Sequence, residues 1–228
     1  MHPSAVPNMF LKLIKYPTAL GATVALPYAW AHLMTSPLMS LSPLKYQWFA
    51  AGFVGYLLAW WVLFQRRFMG SYFSTFEHEL THAIFAWLTL HRVVGLSVTW
   101  QRGGSCTFEG SGGGNWLIAI APYWFPTLVI PTLGVVYFST GQSLTQLHGL
   151  VGAATAYHIL STWTETHLRQ PDLQNTGFLF ALMFLPAANI IVYSVILLFT
   201  LCGPVSAHQY LHNVFQDTLL WFTSMLRS

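Results

Sequence analysis

Two long stretches of this chain carry no charge at all. There is no Asp, Glu, Lys or Arg from Gly110 to Thr164, and none from Leu173 to Gln216. Charged residues make up 7% of the 228-residue sequence, against about 25% in an ordinary soluble domain. Apolar runs longer than about 18 residues read as membrane spans. Lipid leaves backbone polar groups no partner outside the segment itself, so the spans should be helical. The expected fold class is therefore an all-α polytopic membrane protein. It has about six transmembrane helices, near 17–37, 46–65, 71–91, 115–138, 145–168 and 177–201. The third and fourth should flank a short β-hairpin. The expected location is a multi-pass position in the cell or cytoplasmic membrane.

The hairpin is read from residues 92–114, "RVVGLSVTWQRGGSCTFEGSGGG". "GLSVTW" alternates small or polar with apolar residues, Arg102 to Ser105 supplies turn chemistry, and "SCTFEG" returns as a second strand. Three glycines, Gly112 to Gly114, then make a flexible link. Pro122, Pro126 and Pro131 should bend the fourth span. From Ala207 to Ser228 apolar residues recur at helical spacing, which predicts an amphipathic helix on the membrane surface. No second domain is visible, so residues 1–228 form one membrane-embedded unit with its core at about 71–201. The net charge of +3 comes from scattered Lys and Arg; this suits anionic lipid headgroups and gives no nucleic-acid-binding patch. Cys106 and Cys202 are too few for a disulfide framework or a thiolate metal site.

Against this background "FEHELTHAIFAW", residues 76–87, stands out. Ionisable side chains inside a span are costly and usually functional. His78-Glu79-Leu80-Thr81-His82 fits H-E-x-x-H, which puts both imidazoles on one helix face a turn apart. Two such imidazoles can share one Zn²⁺, and Glu79 can take a proton from a water that the ion acidifies. Glu77 reads as part of a capping box opened by Ser74, with support of a ligand histidine as the alternative.

A catalytic zinc needs a third protein ligand. Spans three and five run the same way, and His82 and His158 lie ten and eleven residues before the arginines that close them. At about 1.5 Å per residue both rings reach the same depth, roughly 15 Å in. His158 is thus the expected third ligand. Asp172, in the loop beyond span five, is the alternative. Asn189, deep in span six, is a candidate oxyanion or supporting group, although such an Asn more often bonds a neighbouring helix.

With "HELTH" in a span, a strand-like segment directly after it, "APYWFP" in the next span and "YHILSTWTETHLRQPDLQNTGF" beyond, the chain resembles the site-2 protease class of intramembrane zinc metalloproteases, family M50, and especially its M50B-like members. The resemblance covers about residues 71–195. It implies zinc ligation by His78 and His82 and a general-base role for Glu79. Better-known members draw their third ligand from an aspartate in N-x-x-P-x-x-x-L-D-G; this chain has no such segment, only an echo in "RQPDLQNTG". The resemblance also implies that the hairpin holds substrate in extended form by β-addition, along an edge formed by Val94, Leu96, Val98 and Trp100.

The expected activity is zinc-dependent hydrolysis of peptide bonds in membrane-spanning or membrane-adjacent proteins. Two other readings remain. One is a non-catalytic metal-binding scaffold, against which the retained Glu79 argues. The other is a haem-binding redox protein using His82 and His158 as axial ligands.

Overall fold

The computed structural model describes residues 5–64, 70–99, 103–109, 115–139, 144–167 and 169–227. Trp100, the turn at Arg102 and the glycine run 112–114 fall outside them. The fold is mostly helical with one two-stranded antiparallel hairpin. In chain order it comprises α1 (Ala5–Met34), α2 (Pro43–Ala59), α3 (Gly70–Leu88), β1 (Val93–Thr99), β2 (Gly103–Phe108), α4 (Trp116–Ile120), α5 (Val129–Phe138), α6 (Leu144–Glu165), α7 (Pro171–Thr176), α8 (Phe178–Cys202) and α9 (Pro204–Met225).

By length and composition, α8 alone among the described residues passes as a membrane span, with a mean hydropathy of 2.3. The expected count of six is not met by that measure. Helices do occupy the other expected positions, but α2, with 17 residues, and α5, with 10, are too short by that measure. The segment expected as the fourth span is not one bent helix. It stops at Ile120, makes a 3-10 turn at Ala121–Tyr123, and resumes at Val129. Pro122 and Pro126 lie in this gap, where each lacks the N–H a continuing helix would need. Pro131 falls in the first turn of α5 and is tolerated there.

Two kinds of contact fix the helices around this break. The α2–α6 contact is a backbone approach: a Cβ added at Gly52 would stand 1.8 Å from the Gly149 carbonyl oxygen, and one at Gly152 would stand 2.1 Å from that of Phe49. Small residues permit such close packing where helices meet in lipid. The other contact is aromatic. Trp116, Tyr123 and Phe180 are buried together with Leu11 and Leu173, and the Trp116 indole donates to the Leu11 carbonyl at 2.6 Å. This cluster holds the start of α1, the break and α7 in one place.

The hairpin pairs Leu96 with Cys106 and Val98 with Gly104, with one irregularity between Val93 and Gly95. Both strands pack on α3. The predicted C-terminal helix is α9, and its stripe of Ala207, Tyr210 and Val214 is buried against α1 and α8. The Tyr210 hydroxyl donates to the Ala29 carbonyl at 3.1 Å.

Candidate metal centre

Helix α3 runs from Gly70, so His78 and His82 both sit well inside it, on one face. Their ring centroids are 4.8 Å apart. The Nε2 atoms of both approach Oδ2 of Asp172 at 3.3 Å. Helix α7 makes this possible. Pro171 starts it, and Asp172 follows within its first turn. These three side chains form the group whose donor atoms all lie within 4.8 Å of one another.

The donor set fits a cation. Nδ1 of His82 lies 2.9 Å from the Ile118 carbonyl oxygen, which only accepts, so that nitrogen carries the proton. Nε2 of the neutral ring then has a bare lone pair, turned toward a carboxylate oxygen. Two acceptors do not face each other at 3.3 Å without a proton or a metal ion between them. The carbonyl also fixes the ring's tautomer and orientation, as outer partners of zinc-binding histidines do. At Asp172, burial acts to raise the carboxyl's pKa. Where a proton fills those contacts, hydrogen bonds from His78 and His82 outweigh it and hold the group well below the usual aspartate range. The Tyr123 hydroxyl stands 3.5 Å from the same oxygen.

Glu79 lies beside the pair, buried, and receives a backbone hydrogen bond from Cys106 of β2. A Cβ on Gly104 would stand 2.5 Å from Cγ of Glu79 and 2.7 Å from Cγ2 of Thr75. The residue before Ser105 must therefore be glycine if the strand is to lie this close. Burial, reinforced by the charge of Glu79, pushes the Cys106 thiol up to about 11, and its sulfur is not among the donor atoms that converge with His78, His82 and Asp172. His78, Glu79, His82 and Asp172 open into a cleft of about 990 Å³.

Several expectations change here. His158 does not join the pair. It is 2% exposed, and its Nδ1 lies 3.7 Å from Oε1 of Glu77. Depth gave its height along α6 but not its direction around the helix, and α6 turns it toward the other face of α3. The structure brings the alternative, Asp172, to the site. The haem reading loses its geometry with the same observation, because His82 and His158 turn to different partners. Nor does Glu77 cap α3, which begins seven residues earlier. Its Oε1 accepts from the backbone N–H of Leu128 at 3.1 Å. That amide lies in the break between α4 and α5, where no helical partner is available. Proline breaks in sequence mark such orphan amides, and a buried acid on the neighbouring segment is the signal that could have paired them.

The strand facing the cleft is β2, not β1. Gly103 through Phe108 line it, and no described residue of β1 does. Val94 and Leu96 are exposed and Val98 is half-buried on the far strand; Trp100 lies outside the described residues. Sequence alternation is equal in both strands, so only their packing on α3 decides which edge is turned inward. Asn189 donates to the Tyr123 carbonyl at 3.1 Å and to that of Leu185 at 3.0 Å. It ties α8 to the break that carries Tyr123 and does not line the cleft.

An M50B-like peptidase family model matches residues 49–164. The match covers half of the chain, and the chain belongs to the peptidase M50B-like family, a family of membrane metalloproteases. It runs through α3, the hairpin and almost all of α6, and ends before Asp172. Comparison with curated proteins and with solved structures returned no match.

Proposed function

We propose that this protein is a zinc-dependent intramembrane endopeptidase of multi-pass topology, and that its substrates are membrane-spanning or membrane-adjacent protein segments. The observation that carries this reading is the convergence of His78 Nε2, His82 Nε2 and Asp172 Oδ2 beside Glu79 in an open cleft. His78, His82 and Asp172 would hold the ion. Three ligands and access from a cleft suit a catalytic rather than a closed structural site. Zinc bound there supplies Lewis acidity, which acidifies water and polarises a carbonyl.

The remaining work falls to this chain's own groups. Glu79 takes a proton from the attacking water and returns it to the leaving amine. The backbone N–H of Cys106 holds that carboxylate toward the cleft. A substrate segment unwinds, since a helix hides its peptide bonds in its own hydrogen bonds, and pairs with the inward edge of β2. Embedding in lipid is supported by large apolar side chains turned outward from several helices. Leu13 is 77% exposed, Phe138 83% and Leu182 72%, which a bilayer accommodates and water does not.

Metal analysis paired with a cleavage assay on a reconstituted membrane-protein substrate tests the proposal. The wild type should hold about one zinc per chain. Glu79→Gln should keep the metal and lose cleavage; His78→Ala and His82→Ala should lose both. Cleavage that survives in Glu79→Gln would overturn the reading.

A further inference from the structure

The cleft extends beyond the metal cluster, and its far end is built from three segments distant in sequence. Asn8 comes from the start of α1, His91 from the turn after α3, and Asn115 from the cap of α4. All three line the cleft with Phe108 of β2. Leu90 takes a left-handed backbone conformation, φ 61°, uncommon for a residue with a side chain. The turn carries His91 back onto α3, where its N–H bonds the Ala86 carbonyl at 2.8 Å. The His91 ring meets the Phe108 ring edge-to-face at 5.5 Å.

The direction of every hydrogen bond in this chain follows from one end. Oδ1 of Asn115 accepts the backbone N–H groups of Leu117 and Ile118, at 3.1 and 3.3 Å. Its amide nitrogen must therefore face Asn8, donating to Oδ1 at 3.1 Å. The Asn8 amide nitrogen then faces Nε2 of His91 at 3.0 Å, and since it can only donate, that ring nitrogen accepts. Nδ1 of the neutral ring carries the proton and donates to the Thr89 hydroxyl at 3.0 Å, which in turn donates to the Phe85 carbonyl at 2.7 Å. Each carboxamide nitrogen has two N–H groups and spends one of them in this chain. What remains at this end of the cleft is a pair of neutral donors.

We propose that Asn8 and Asn115 form a donor subsite for an uncharged, hydrogen-bond-accepting substrate side chain: Asn, Gln, Ser or Thr. It rests on the reading of the cleft as a peptide cleft. Its place along the substrate follows from β2, where Cys106 meets Glu79 and Phe108 meets His91. Two residues of strand separate them, about 7 Å. A substrate strand paired with β2 presents to the subsite a residue about two positions from the bond cut. Neutral donors in a partly buried site favour a neutral acceptor, because a carboxylate there would be desolvated without a counter-charge.

The test uses the Glu79→Gln protein in lipid nanodiscs and fluorescent apolar decapeptides in which a single Asn replaces Leu, scanned position by position. At one position Asn should tighten binding about fivefold, the net worth of one hydrogen bond. Asn8→Leu keeps the approximate shape and removes the donors; Asn8→Ala removes both. Thermal melts confirm that each variant is folded, and in both the Asn-to-Leu ratio should fall to near one. Absence of any preferred position overturns the subsite. So does a preference that survives both variants, which would leave the three residues as a brace between helices. Preference for Asp over Asn at that position also overturns it. Failure of the protease reading is seen separately, as equal cleavage of the same peptides by the wild type and Glu79→Gln, whatever the binding ratio.

Discussion

Helix α3 carries histidine–carboxylate assemblies on two of its faces, built from the same side-chain types. On one, His78 and His82 converge on a single oxygen of Asp172 and open into a cleft of about 990 Å³. On the other, Glu77 meets His158 at 3.7 Å, with both residues at most 3% exposed. Glu77 spends its oxygen on the Leu128 amide, and a direct bond of Thr81 to Thr127 lies a turn further along the same helix. Convergence and access, not residue type, separate a place where an ion and water can enter from a brace that repairs broken backbone. The brace serves the centre indirectly: the broken segment carries Ile118, which orients His82, and Tyr123, which faces Asp172.

The comparison is most directly broken at Glu79. Glu79→Gln should lower cleavage by about 10²–10⁴-fold, the usual worth of a general base, while zinc measured by atomic absorption stays at the wild-type level. Next comes the contrast between Asp172→Ala and His158→Ala. The first should weaken zinc affinity beyond the roughly 10–100-fold that the loss of an outer partner costs; the second should leave zinc content unchanged. If only His158→Ala loses zinc in a chelator competition, the two faces have been assigned in reverse.

Smaller effects sharpen the picture. Gly104→Ala places a Cβ 2.5 Å from Cγ of Glu79. It should reduce cleavage by up to about 100-fold through misplacement of the base, with zinc retained and no shift of the thermal midpoint beyond a few degrees. Glu77→Leu leaves the Leu128 amide without its acceptor. It should cost about 1–3 kcal/mol of stability in a denaturant titration and leave the zinc stoichiometry unchanged, because the Glu77 carboxylate turns to Leu128 and His158 on the other face of the helix.

Much of the centre is legible in five letters. The i, i+4 spacing of His78 and His82 fixes their common face once the segment is helical, and Glu79 travels with them. The third member is different. Equal depth made His158 the natural partner, but depth is one coordinate, and the direction a side chain takes around α6 depends on how α2 and α6 interlock at Gly52, Gly149 and Gly152. Asp172 reaches the site because Pro171 starts a short helix that folds back against Trp116 and Phe180. The strand pattern likewise announced a hairpin without saying which edge faces Glu79. Glu77 matched a local capping pattern, yet the helix starts seven residues upstream and the acid serves a distant amide.

By itself the sequence determined the apolar, helical character of the chain, the hairpin and the paired imidazoles with their neighbouring acid, because each depends on spacing within one segment. The tertiary structure alone decided that Asp172 closes the cluster, that β2 rather than β1 lines the cleft, that Glu77 binds Leu128, and that Asn8, His91 and Asn115 meet at its far end. Those choices depend on rotations and offsets between segments, set by packing contacts that no single stretch of residues contains.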